Sequence, residues 1–186
     1  QRDYDLEKAL TETSGGADAN VLTGSDGRDI IYGNESDDTL YGDIGSIYTR
    51  GAADTLYGGQ GNDLVYGNRG DDDLHGNLGD DLLYGGQGLD IILGDGGDDT
   101  AYGNDGWDTV SGGDGNDIVY GTQGSDDLFG NNGNDTLYGG KDGDWIDGMA
   151  DNDVAYGGLG GDKVFGGLGD DTPVSYTHLT LPTSPK

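Results

Sequence analysis

Sixteen aspartates recur at one phase of a nine-residue period. They are Asp29, Asp38, Asp54, Asp63, Asp72, Asp81, Asp90, Asp99, Asp108, Asp117, Asp126, Asp135, Asp144, Asp153, Asp162 and Asp171. Each closes a glycine-rich turn, where backbone carbonyls are free to point inward beside the carboxylate. The chain has no cysteine, and His75 is the only histidine inside the repeats. Carboxylate and carbonyl oxygens without thiolate or imidazole make a donor set for a hard cation. Six to eight oxygens at roughly 2.4 Å favour calcium over magnesium. Coordination is the chemistry such a set offers.

Catalysis finds no comparable support. There is no G-x-S-x-G elbow and no H-E-x-x-H helix, and the glycine turns lack the lysine and following helix of a phosphate cradle. His75 takes a slot that usually holds tyrosine, which reads as a surface substitution. Asp142 and Asp144 begin like an EF-hand, but Ile146 falls where the next oxygen ligand is due. Carboxylates are so frequent that none stands out as an acid/base pair. No enzyme activity is expected of this stretch.

The elements that must position the aspartates follow from the repeat. Gly58-Gly-Gln-Gly-Asn-Asp-Leu-Val-Tyr66 shows the unit, G-x-x-G-x-D-x-U-x with U aliphatic. Seventeen windows open between Gly15 and Gly166, the first worn, with Asn20 in the aspartate slot. The window from Gly42 runs to Tyr57, seven residues too long, and the excess at 44–50 reads as a surface loop. The aliphatic slot runs from Leu22 to Val164. One inward residue between two outward ones predicts a three-residue strand, and the six before it are turn formers. Repeated in register, such units make a parallel coil rather than hairpins. Two units complete an eighteen-residue turn, so the fold expected is all-β: a parallel β-roll, a two-sheet β-solenoid with one strand per nonapeptide. Ala101 and Ala155 then share one of the two core columns. The slot after U is usually tyrosine, at 32, 41, 57, 66, 84, 102, 120, 138 and 156, expected to stack along neighbouring strands; a sugar-binding ladder is the functional alternative.

Composition sets the same demand for a cation. The 186 residues hold 41 glycines, 37 acidic and 8 basic side chains, a formal charge of -29, and 31% are hydrophobic. So little apolar surface suits a disordered chain, but disorder requires no nine-residue period. Slot aspartates of alternate windows lie about one strand spacing, ~4.8 Å, apart, in two files, one along each edge of the coil. Like charges at that spacing cannot all remain ionised unaided. With one ion between windows i and i+2, sixteen aspartates give 16 − 2 = 14 gaps. About fourteen calcium ions would bring roughly +28 against -29, so folding and binding are expected to be one event. The charge argues against nucleic acid and anionic membrane as partners, and no apolar run approaches the roughly 20 residues of a membrane helix.

The in-phase copies over residues 15–172 resemble the RTX (repeats-in-toxin, hemolysin-type) calcium-binding nonapeptide GGxGxDxUx. The resemblance implies that each turn binds Ca²⁺ through its aspartate and turn carbonyls, shared with the turn two repeats away, and makes the sixteen aspartates the carboxylate ligands. It also implies a secreted bacterial protein, extracellular or at the cell surface, exported by type I secretion machinery through a C-terminal signal. One alternative is that the repeats serve a larger protease, lipase, epimerase or cytolysin; an adhesin binding sugar or ice is the other. Ser36, Ala52, Asp142 and Asp151 replace the second turn glycine, so weaker sites are expected around 33–57 and 139–156. Asp26, Glu35, Asp105 and Asp114 in the third slot are expected mainly to strengthen the local field.

Residues 1–14 lie outside the period and read as a linker or N-terminal cap. No signal peptide is visible and the chain begins at Gln1, so further sequence is expected upstream. After Thr172 the period stops. Pro173–Thr183 reads as the translation of a transposon-based sequencing adapter, and 173–186 is expected to be a non-native tail.

Overall fold

Each window turns its last residues into a strand whose middle side chain faces inward. The computed structural model describes residues 10–25, 27–43 and 51–174, and contains eighteen strands and no helix among them. The odd strands are β1 (Thr11–Ser14), β3 (Asp29–Glu35), β5 (Thr55–Gln60), β7 (Asp73–Leu78), β9 (Ile91–Gly96), β11 (Thr109–Asp114), β13 (Asp127–Asn132), β15 (Trp145–Ala150) and β17 (Lys163–Phe165). They form one nine-stranded sheet in that order. The even strands are β2 (Val21–Thr23), β4 (Thr39–Tyr41), β6 (Leu64–Arg69), β8 (Leu82–Gly88), β10 (Thr100–Gly106), β12 (Ile118–Gln123), β14 (Thr136–Lys141), β16 (Val154–Leu159) and β18 (Thr172–Val174), and they form the second. Pairing is parallel, with partners eighteen residues apart such as Val65↔Leu83 and Leu74↔Ile92. This is the expected two-sheet β-roll.

The core is two facing columns of single side chains. Fourteen aliphatic residues from Ile31 to Ala155 are buried, and Leu22 and Val164 flank them. Ala101 and Ala155 both belong to the even sheet, through β10 and β16.

Most strands run six residues rather than three. The ladder continues past the tyrosine slot into the turn, as Gly59↔Asn77 and Gln60↔Leu78 show. Identical turns stack in register, so a turn N–H finds a carbonyl one coil away: Gly61 N–H donates to Leu78 O at 2.9 Å. The strand bends there instead of ending, because the second slot adopts left-handed angles (Asn77 φ 76°).

The stack begins ahead of Gly15. Within the non-periodic segment, Thr11–Ser14 pairs with β3 and sets Thr13 opposite Ile31. Across the long window partners are 25 residues apart, Leu40↔Val65 for example, so the extra seven leave the register intact. The loop at 44–50 lies outside the described residues, as do 1–9 and 175–186. At the other end β18 pairs with β16 and sets Pro173 opposite Ala155, on a terminal strand where a missing N–H is tolerated.

Candidate metal centre

The coil brings the sixteen aspartates together as two files of eight. Turns leaving the odd strands carry Asp38, Asp63, Asp81, Asp99, Asp117, Asp135, Asp153 and Asp171 along the first edge. Turns leaving the even strands carry Asp29, Asp54, Asp72, Asp90, Asp108, Asp126, Asp144 and Asp162 along the second. All but Asp162 and Asp171 are buried, at 1–3% exposure.

One oxygen of each carboxylate has a fixed partner. Oδ1 accepts the backbone N–H of the slot residue one coil earlier, at 2.6–3.2 Å, from Asn20 N–H to Asp38 through Asp153 N–H to Asp171 on the first edge. The second edge repeats this from Asp29 N–H to Asp54 through Asp144 N–H to Asp162. The other oxygen is left over. Oδ2 of fourteen slot aspartates, from Asp38 to Asp162, is buried without a hydrogen-bond partner. Asp29 differs, because Ser25 N–H donates to its Oδ2 at 2.6 Å. A buried carboxylate oxygen with no donor is costly, and a polar interior of such groups in rows needs a compensating charge.

Backbone oxygens border the same first-slot glycines as these atoms. A Cβ placed on Gly76 would stand 2.4 Å from Asp81 Oδ2 and 2.7 Å from Gly94 O, so the first-slot glycine leaves room for carboxylate and carbonyl together. At the fourth slot, Gly88 (φ 153°) lies so close over Gly70 O that a Cβ would stand 1.5 Å from it. Each turn thus presents carboxylate and carbonyl oxygens to the next coil. Among the described residues no three His, Cys, Asp or Glu side chains converge. Gly76→Ala is expected to destabilise the calcium-loaded protein by about 1–3 kcal/mol in urea unfolding. Gly161→Ala, where a Cβ would meet nothing within 4 Å, should stay within about 0.5 kcal/mol. Equal losses for the two would refute the close-packed cradle.

Burial pushes these carboxyls upward: Asp72 and Asp99 to about 8, Asp54, Asp81, Asp108, Asp135 and Asp144 to about 7, and Asp63, Asp90, Asp117 and Asp126 to about 6. Loss of water is the main cause, the accepted backbone N–H partly offsets it, and neighbouring carboxylates add to it. A dication held between coils would supply the charge that water no longer does. The residues fit a hard divalent cation.

The substituted windows keep the turn. Ser36, Asp142 and Asp151 take φ of 70°, 70° and 74°, at a cost of about 1–2 kcal/mol each. In the long window the left-handed residue is Gly51 (φ 77°) instead of Ala52. Glu35, Asp105 and Asp114 are exposed, away from the buried files; Asp114 accepts from Asn132 at 2.7 Å, and Asp105 from Gln123. Asp26 lies outside the described residues.

Sequence reading missed a second ladder. In the fifth slot of the first edge, Asp37, Asn62, Asp80, Asp98, Asn116, Asn134, Asn152 and Asp170 each link to the next, the side-chain oxygen accepting a backbone N–H at 2.8–3.3 Å. Sorting windows by parity would have shown this Asn/Asp column, because the second edge holds Asp71, Leu89 and Trp107 in that slot. The outward tyrosines stack as expected. Tyr41 to Tyr156 form an unbroken pile on the even sheet, with ring centroids 4.6–5.1 Å apart. On the odd sheet Tyr32, Tyr57 and His75 form a short pile. His75 also lies 3.2 Å from Asp73 and 3.6 Å from Asp95.

Comparison with curated proteins gives no match. The family model of the RTX calcium-binding nonapeptide repeat matches residues 14–46, 48–83, 66–101, 84–119, 102–137, 120–155 and 138–173. With the parallel roll and its two oxygen-lined files, these matches over nearly the whole periodic region mean that the chain belongs to the RTX family of calcium-binding repeats.

Proposed function

We propose that this chain is a calcium-dependent folding module. The sixteen slot aspartates are the carboxylate ligands, and each ion sits between turns one coil apart, completed by turn carbonyls. The orphaned Oδ2 atoms carry this reading: fourteen of them, as many as the gaps between aspartates of successive coils. Filling every gap places about fourteen Ca²⁺, roughly +28, against the formal -29. The strained windows at 33–57 and 139–156 hold their ions more weakly. Titration with calcium, followed by circular dichroism and ion counting in equilibrium dialysis, tests the proposal. A cooperative rise of β signal with several ions bound, and little response to magnesium, is expected. Folding to the same extent in chelator would remove it.

Within a parent protein the module serves secretion. A chain whose folding needs calcium stays extended in a calcium-poor cytoplasm, passes a type I exporter and folds outside. The catalytic or toxic activity of such a parent lies beyond these repeats. A sugar-binding ladder is less well supported: rings about 5 Å apart cover one another's faces, leaving edges rather than faces for a ligand. Residues from 173 are foreign to this module, which an independent clone read across the junction checks; an identical tail there would overturn that assignment.

A further inference from the structure

The outer face of the even sheet differs from every other surface of this acidic chain. Its two outward columns flank the buried aliphatic column. One is the tyrosine pile from Tyr41 to Tyr156. The other runs alongside it through Leu82, Thr100, Ile118 and Thr136. From Val21 to Thr172 neither column contains a charged residue, in a chain of formal charge -29. The odd sheet's outer face, by contrast, carries Asp73, His75, Asp127, Asp147 and Lys163. Charges on this sheet lie past the tyrosine column, at Arg69, Asp105 and Lys141 toward the ends of β6, β10 and β14; the two columns themselves form an uncharged stripe.

We propose that this face is the interface of a homodimer, two rolls packed even sheet to even sheet. Two observations select a second copy as occupant. The two columns are uncharged, so two like-charged chains meet along them without placing charge against charge. The second is size. Nine strands at roughly 4.8 Å make a face roughly 40 Å long and, at three residues, roughly 10 Å wide. Two such faces packed together remove about 1,000 Å² of surface, the lower end of specific interfaces. A two-fold axis parallel to the stack sets each tyrosine column against the partner's Thr/aliphatic column.

Because the face exists only in the folded roll, dimerisation rests on the calcium-dependent folding proposed above, and the test separates the two. Sedimentation equilibrium of the full chain at about 100 µM, in calcium and in chelator, is read beside circular dichroism of the same samples. The folded chain is expected near 38 kDa, twice its 19.2 kDa. Ile118→Lys sets a charge in the middle of the face on an outward side chain and should weaken association at least tenfold with β signal kept. Thr109→Lys, its counterpart on the odd face, should leave the dimer intact. A β signal with a monomer mass overturns the dimer while leaving the calcium reading standing. So does an Ile118→Lys protein that still dimerises, or a mass that climbs beyond two chains as open stack ends join. A β signal undiminished in chelator overturns the calcium reading instead, and the dimer is then judged on that folded sample.

Discussion

Removing calcium at neutral pH is expected to abolish the β signal of the protein altogether. An ion present at 100 times its dissociation constant contributes about 2.7 kcal/mol to the folded state. Six such ions already contribute about 16 kcal/mol, more than the ~5–15 kcal/mol by which folded domains are usually stable. The core cannot replace them. It consists of single aliphatic residues, one per nonapeptide, in two columns. Against it stand two rows of buried carboxylates, most with an oxygen that no protein group satisfies. Far-ultraviolet circular dichroism during titration with chelator measures the effect. Loss should be cooperative, since on the proposed arrangement each ion is shared between coils, and each coil contacts only its neighbours. Re-addition of calcium should restore the signal, and magnesium should not. Retention of full β signal in excess chelator would show that the core suffices.

In chelator, acid is expected to do part of what calcium does. Eleven of the file carboxyls stand well above the ordinary 3.8, at about 6 to 8, because burial disfavours their charged form. Between about pH 4 and 8 the folded chain therefore binds more protons than the unfolded chain. Its stability is greatest below the unfolded value and is lost as pH rises through 6 to 8. The metal-free β signal should be strongest near pH 4 and fade toward pH 8, with light scattering excluding aggregation near the isoelectric point of about 4.1. With calcium the dependence reverses, because the ions need ionised carboxylates: the calcium concentration for half-folding should rise as pH falls below about 7. A metal-free signal that grows from pH 4 to 8 would contradict the burial of these groups.

The repeat was legible because every link from sequence to fold is local and repeated. One aliphatic residue per nine, flanked by outward residues, requires a short strand; glycine, asparagine and aspartate require a turn; equal lengths require stacking in register. The seven extra residues of the long window could be subtracted for the same reason, and the register resumes after them. Strand length was not legible. Whether a turn N–H joins the ladder depends on a carbonyl one coil away, as with Gly61 and Leu78.

By itself the sequence determined the two-sheet roll, the core columns and the alignment of sixteen aspartates, because all of these follow from a period of nine and its doubling. The tertiary structure decided what a period of nine conceals. Neighbours in space are windows one coil apart, so the coil sorts residues by parity and gives its edges and faces different characters. Hence the Asn/Asp ladder follows one edge, from Asp37 to Asp170, and the uninterrupted tyrosine pile covers one sheet. The structure also decided the orientation of each carboxylate. Oδ1 is held by a backbone N–H one coil earlier and Oδ2 is left beside the first-slot glycine of its own turn, because that N–H belongs to a segment eighteen residues away that only folding brings into reach.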